Sequence, residues 1–153
     1  MPDKIIAMQS FLISAHSGMR YLVFLMLVAV IVNSLIGFTS KKPFGKTDNL
    51  LSLFLLIFTH IQLLIGLGTY FVSSFVQFND QTMKNPDIRY WTVEHIFGMI
   101  IAVVLITVAR STAKRMADPV AKHKRLFIFN TIALLIVVIV LAIKGVPLFG
   151  SRY

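Results

Sequence analysis

The sequence predicts an all-α membrane protein: an up-down bundle of four transmembrane helices, with both termini on the outer, periplasmic side. Three observations lead there. Of 153 residues, 57% are hydrophobic and 14% charged, and the mean hydropathy is +0.82; ordinary soluble domains run near half apolar and a quarter charged. Four stretches reach the roughly 20 apolar residues needed to cross about 30 Å of hydrocarbon. Lys and Arg gather in the first and third connections, and such residues in short loops stay on the cytoplasmic side. The length suits a single domain, residues 1–153.

The apolar stretches are Tyr21–Phe38, Leu50–Phe71, Tyr90–Val108 and Leu126–Ile143. With their flanks they give helices over about 11–39, 49–74, 89–110 and 123–146. The first opens near Phe11 in an amphipathic lead that contains His16. Its apolar run exceeds the 7–15-residue core of a signal peptide, and no basic region with a small-residue cleavage site precedes it, so it reads as a retained helix. In the first connection Pro43 and Gly45 break helix, and Thr47, Asp48 or Asn49 can cap the next one. The second connection mixes Asp80 and Asp87 with Lys84 and Arg89, and Tyr70, Tyr90 and Trp91 are expected beside it as an outer aromatic belt. The third gathers Arg110, Lys114, Arg115, Lys122, Lys124 and Arg125 around Asp118-Pro119.

Composition also excludes. The 15 Lys and Arg against 6 Asp and Glu give a net +9, which in a soluble domain would suggest nucleic acid. Here the charge lies in loops, so the bilayer is the expected partner and nucleic acid is not. Without cysteine there is no disulfide, thiolate metal site, iron–sulfur cluster or thioether-linked haem. Phosphate loops, nucleophile elbows, His-Glu-x-x-His helices and paired hydrolase carboxylates are missing as well. Membrane electron transfer suits such a chain better than a stand-alone enzyme.

Four histidines remain: His16, His60, His95 and His123. Counted from the cytoplasmic ends at ~1.5 Å per residue, His60 lies roughly 16 Å deep on the second helix and His95 roughly 22 Å on the third. On the same count His16 comes at roughly 36 Å, past the hydrocarbon, and His123 near zero. Ionisable residues inside the bilayer are costly and usually functional. Two imidazoles from facing helices can hold haem b without cysteine, so His60 and His95 are the expected metal ligands. His16 is the alternative ligand if the first helix is tilted. Interhelical hydrogen bonding is the competing role for both histidines.

Gly68 and Gly98 are expected to give a flat ring close approach to the backbone. Arg20, which shares a helix face with His16, could pair a propionate, as could Arg89 and Lys144 at the same interface. Thr59, Gln62, Gly66 and Thr69 form a polar, small face that either packs helices or lines a quinone pocket. Glu94 points away from the face of His95 and is expected to pair with Arg20 or Arg89, or to relay protons to a quinol. His123, within Lys122-His123-Lys124-Arg125, is expected to be a solvated interfacial residue.

The runs His16-Ser17-Gly18-Met19-Arg20-Tyr21, Phe58-Thr59-His60-Ile61-Gln62-Leu63, Trp91-Thr92-Val93-Glu94-His95 and Lys122-His123-Lys124-Arg125 resemble the short four-helix bacterial membrane proteins loosely named cytochrome B. The resemblance covers nearly the whole chain. It implies a haem-b-type or respiratory-chain association in the bacterial inner membrane; a bundle of this size is also expected either to form a homodimer or to sit beside respiratory-complex subunits. A cofactor-free accessory or assembly subunit is the alternative. More distantly, the chain is similar to one half of heme A synthase, but His60 sits in mid-helix, a departure from that family's pattern.

Overall fold

The computed structural model describes residues 2–149, and these contain no strand. Four long helices make up the fold: α1 (Pro2–Thr39), α2 (Lys46–Val72), α3 (Pro86–Ala113) and α4 (Pro119–Lys144). Each is long and apolar enough to span a membrane. The shortest has 26 residues, or ~39 Å at 1.5 Å per residue.

The helices begin earlier than the apolar stretches suggest, for a local reason. Proline lacks the N–H that a first turn leaves unsatisfied, so it suits the first helical position. Pro86 and Pro119 occupy that position. Asn85 Oδ1 accepts from the N–H groups of Asp87 and Ile88, and the Asp118 carboxylate accepts from those of Val120 and Ala121. At α2 the Asp48 carboxylate accepts from the Gly45 N–H at 2.7 Å. At the far end of α4, Gly145 takes a left-handed φ of 68° and stops the helix.

Within the bundle α1 packs on α2, α3 on α4, and α4 back on α1, and of the four neighbouring pairs α2 and α3 touch least. The helices therefore form a four-sided ring in which α1 and α3 oppose each other across the diagonal. Leu27, Val30, Leu55, Ala102, Ile106 and Ala133 fill the middle. Small residues allow close approach where dispersion, rather than water exclusion, holds helices together. Gly98 is one such place: a Cβ there would lie 2.4 Å from Val140 Cγ2. Large apolar side chains such as Leu25, Phe54, Leu64, Phe97 and Ile139 point outward, as a lipid-facing surface requires.

The end carrying the two basic connections is sealed by polar contacts. Arg110 is buried, its guanidinium donating to Asn49 O (3.0 Å), Asn49 Oδ1 (3.1 Å) and Ser52 Oγ (2.5 Å), which ties α3 to the start of α2. His123 is only 1% exposed, contrary to the solvated position expected of it. Gly37 has no side chain to fend it off: a Cβ there would lie 2.4 Å from the imidazole. The ring of Phe44 covers it at 5.1 Å.

Candidate functional site

At the opposite end the bundle opens into a cavity. Its walls come from all four helices, with His16, Arg20, Gln62, Gly66, Trp91 and His95 at its polar end and Leu27, Ala102, Val103 and Ile106 deep inside. Its volume is about 180 Å³. Val146 and Leu148, beyond α4, close the top, and Phe149 stacks on Tyr21 with ring centres 6.1 Å apart.

His16 and His95 meet in this cavity. Their ring centres are 6.3 Å apart and their planes inclined by 69°, one ring from each diagonal helix. On α2, Gly66 makes room for His16: a Cβ there would lie 2.8 Å from its Cε1 and 3.3 Å from its Nδ1. Gln62, one turn away, donates from Nε2 to the His16 carbonyl at 3.0 Å, and the same nitrogen lies 3.4 Å from His16 Nε2. An amide N–H facing Nε2 favours the tautomer whose Nε2 holds the lone pair. His16 Nδ1, Gln62 Oε1 and Thr59 Oγ1 are buried without a hydrogen-bond partner. Buried polar atoms are rarely left so, and all three residues line the cavity.

His95 is positioned by a distortion of α3. Residues Tyr90–Glu94 form a π-helical turn that ends at His95, whose N–H donates to the Tyr90 carbonyl; such turns recur at functional sites. Tyr90 is 1% exposed and its hydroxyl donates to Val140 O at 3.0 Å. With its proton so engaged, the Tyr90 oxygen faces His95 Nδ1 at a long 3.5 Å as an acceptor. That contact favours a proton on Nδ1 and leaves Nε2 as a ligand atom. Trp91 packs beside the imidazole at 5.3 Å.

The pairing differs from the one expected. His60 is half-buried, does not line the cavity, and donates from Nδ1 to Leu56 O of its own helix at 2.8 Å. His95 meets His16 instead because the roughly 6 Å difference in depth between His60 and His95 persists on the true helix bounds, while His16 sits level with Gly66, lower than a count along α1 puts it. α2 starts at Lys46 and α3 runs on to Ala113. On these bounds His95 rises to ~27 Å, level with Gly66 at ~30 Å and therefore with His16, while His60 lies near ~21 Å. Of the two glycines expected to admit a flat ring, Gly68 has only ordinary contact with Leu12 at 3.7 Å, and Gly98 faces α4.

The other expectations divide in the same way. Arg20 shares the cavity with His16, and Thr59, Gln62 and Gly66 line it too, whereas Thr69 bonds back to Ile65 O. Glu94 pairs with Arg89 at 2.6 Å, and Lys144 pairs with Asp87. Tyr90 and Tyr70 do not form an outer belt. Tyr90 is buried, and Tyr70 lines the cavity and donates to Thr92 O at 2.8 Å, so both fasten helices together. Among the described residues no group of three or more His, Cys, Asp or Glu side chains could cage a metal ion, so any metal here would rest on the two imidazoles and its own ligand frame.

Comparison with protein-family models, with curated proteins and with solved structures finds no match to this chain.

Proposed function

We propose that this protein is a haem-b-binding membrane protein that carries electrons, in which His16 and His95 would hold the iron and Arg20 would pair with the carboxylates of the group. The observation that carries the reading is the 6.3 Å separation of two imidazoles on diagonal helices. Two imidazoles bound to one metal from opposite sides, each at ~2.0–2.1 Å, have ring centres roughly 6 Å apart. The residues fit the group in other ways. The walls are apolar where a porphyrin's hydrocarbon edge belongs, the cation is at the polar end, and Gly66 gives a ligand ring room that any other residue would take. The cavity's 180 Å³ is on the scale of the ~150 Å³ that admits one benzene ring. A macrocycle therefore needs the loose seam between α2 and α3 as well.

Haem b, when bound, supplies a one-electron carrier. The chain's own part is to hold both imidazoles with Nε2 unprotonated, that of His16 exchanging its 3.4 Å contact with the Gln62 amide for the metal, to keep water away with apolar walls, and to set a cation against the carboxylates. The charge pattern supports an orientation with the basic connections in the cytoplasm and the cavity near the periplasmic surface.

A reduced-minus-oxidised visible spectrum of the detergent-purified protein, produced with ample haem, tests this. A low-spin b-type signal lost in His16→Ala and in His95→Ala, and kept in His60→Ala, is the expected result. A well-folded protein without any haem signal would overturn the reading in favour of a cofactor-free accessory subunit. A signal lost only in His60→Ala and His95→Ala would restore the pair read from sequence.

A further inference from the structure

His60 is left over from the haem site, and its setting asks for a ligand. It lies near ~21 Å along α2, inside the hydrocarbon, where a polar side chain is costly to keep. Its Nδ1 faces the Leu56 carbonyl at 2.8 Å. A carbonyl only accepts, so Nδ1 must carry the proton and Nε2 the lone pair. No described residue bonds that Nε2, and it is not enclosed in the protein. An imidazole that joined helices would use this atom on a neighbour; this one presents a bare acceptor instead.

Its direction follows from helix spacing. His60, Leu63 and Leu67 stand at i, i+3 and i+7 and share one flank of α2. Leu63 and Leu67 line the cavity, whereas the Gln62 and Gly66 flank meets α1 through His16. The His60 flank is thus the one toward α3, at the seam where the helices touch least. Along the helix it lies six residues, ~9 Å, below Gly66 and the proposed ligand pair.

We infer that His60 Nε2 is the acceptor in a lateral binding site for a lipid-borne hydroquinone, reached from the bilayer through the α2–α3 seam. The occupant must dissolve in lipid to arrive at this depth, and must bring an O–H donor to an acceptor that has none. Its choice over other lipid-soluble hydroxyl compounds rests on the electron-carrying reading, since it lies within two helical turns of the proposed haem.

The test uses the full chain in phosphatidylcholine nanodiscs titrated with a short-tailed hydroquinone, binding being read by calorimetry and the haem spectrum recorded on the same samples. Saturable binding is expected, weakened at least tenfold in His60→Leu. His60→Gln should keep part of it, because the amide oxygen is still an acceptor. Neither variant should alter the haem spectrum.

Unchanged affinity in His60→Leu, or no saturable binding to the unaltered chain, would overturn the inference. So would loss of haem from His60→Leu, which would make His60 an iron ligand. A dimer that falls to monomer in His60→Leu would show that a second copy occupies the acceptor, again against it. Saturable, His60-dependent binding to a chain that holds no haem would defeat the haem reading alone and leave this site standing.

Discussion

Gly66 and Gly68 lie two residues apart on one helix, and replacing each by alanine separates helix propensity from the contact with His16. Either change should favour the helix by about 1 kcal/mol, since glycine is that much poorer than alanine in a helix interior. At Gly68 the new methyl meets Leu12 at 3.7 Å, an ordinary contact, so Gly68→Ala should be neutral or stabilising. At Gly66 it would lie 2.8 Å from His16 Cε1, and carbon atoms settle at about 3.5–4.0 Å. The ring must therefore move by roughly 0.7 Å or more, against an amide on one side and His95 on the other. Overpacking of this kind costs about 1–3 kcal/mol. Gly66→Ala should thus be less stable than Gly68→Ala by ~1–3 kcal/mol, several degrees in melting temperature for a chain of this size. The difference should vanish when both are made in a His16→Ala background, because nothing is then left to displace. Thermal unfolding in one detergent, followed by circular dichroism, gives all four values. Equal melting temperatures for the two glycine variants, or a difference that persists without His16, would refute the packing of α1 against α2 through this ring.

Three further outcomes are expected. Tyr90→Phe keeps the buried ring but removes the hydroxyl that donates to Val140 O and faces His95 Nδ1; thermal unfolding should show a loss of about 1 kcal/mol, and the haem spectrum, where present, should shift. Arg110→Leu strips Asn49 and Ser52 of a charged donor; a loss of at least ~2 kcal/mol is expected, and unchanged thermal stability would contradict it. Because the chain has no cysteine, single cysteines report sidedness without background. Lys42→Cys should react with an impermeant maleimide only in inside-out vesicles and Asn79→Cys only in intact cells, and the reverse pattern would invert the orientation.

The four spans were legible in the sequence because the bilayer imposes a crude requirement, about 20 apolar residues each, that composition alone reveals. The register between them was not. A depth count inherits every error in its zero point, and at this fold's basic end the zero points are hidden. Lys46 and Ala113 belong to helices although polar or small, and Pro119 starts a helix although proline elsewhere ends one. On α2 and α3 these errors raise His60 and His95 alike by ~5 Å and leave their ~6 Å offset, so it is the height of His16, counted past the hydrocarbon although it packs level with Gly66, that paired His95 with the wrong histidine. Tyr90 and His123 misled for a related reason. Aromatic and basic residues near helix ends usually face the interface, but the Asn85-Pro86 cap sets Tyr90 a full turn inside α3, and Gly37 opens a slot into which His123 sinks.

A better signal was present, and it did not depend on depth. His16 and Arg20 stand at i, i+4 on α1, and Gln62 and Gly66 stand at i, i+4 on α2, so each pair occupies one helix face. α1 offers a bulky imidazole one turn from a charge; α2 offers an amide that can hold that imidazole, one turn from a residue without a side chain to obstruct it. Neither face makes sense against lipid: one would strand a charge there, the other would leave a polar amide beside a gap. Set against each other they satisfy both, and the structure joins them as Gln62 to His16 O and Gly66 beneath the ring. That match is satisfied at only one register of α1 on α2, which brings His16 level with Gly66 and, through the diagonal, with His95. Complementary faces therefore locate a site in a small membrane bundle more securely than heights counted from uncertain helix ends.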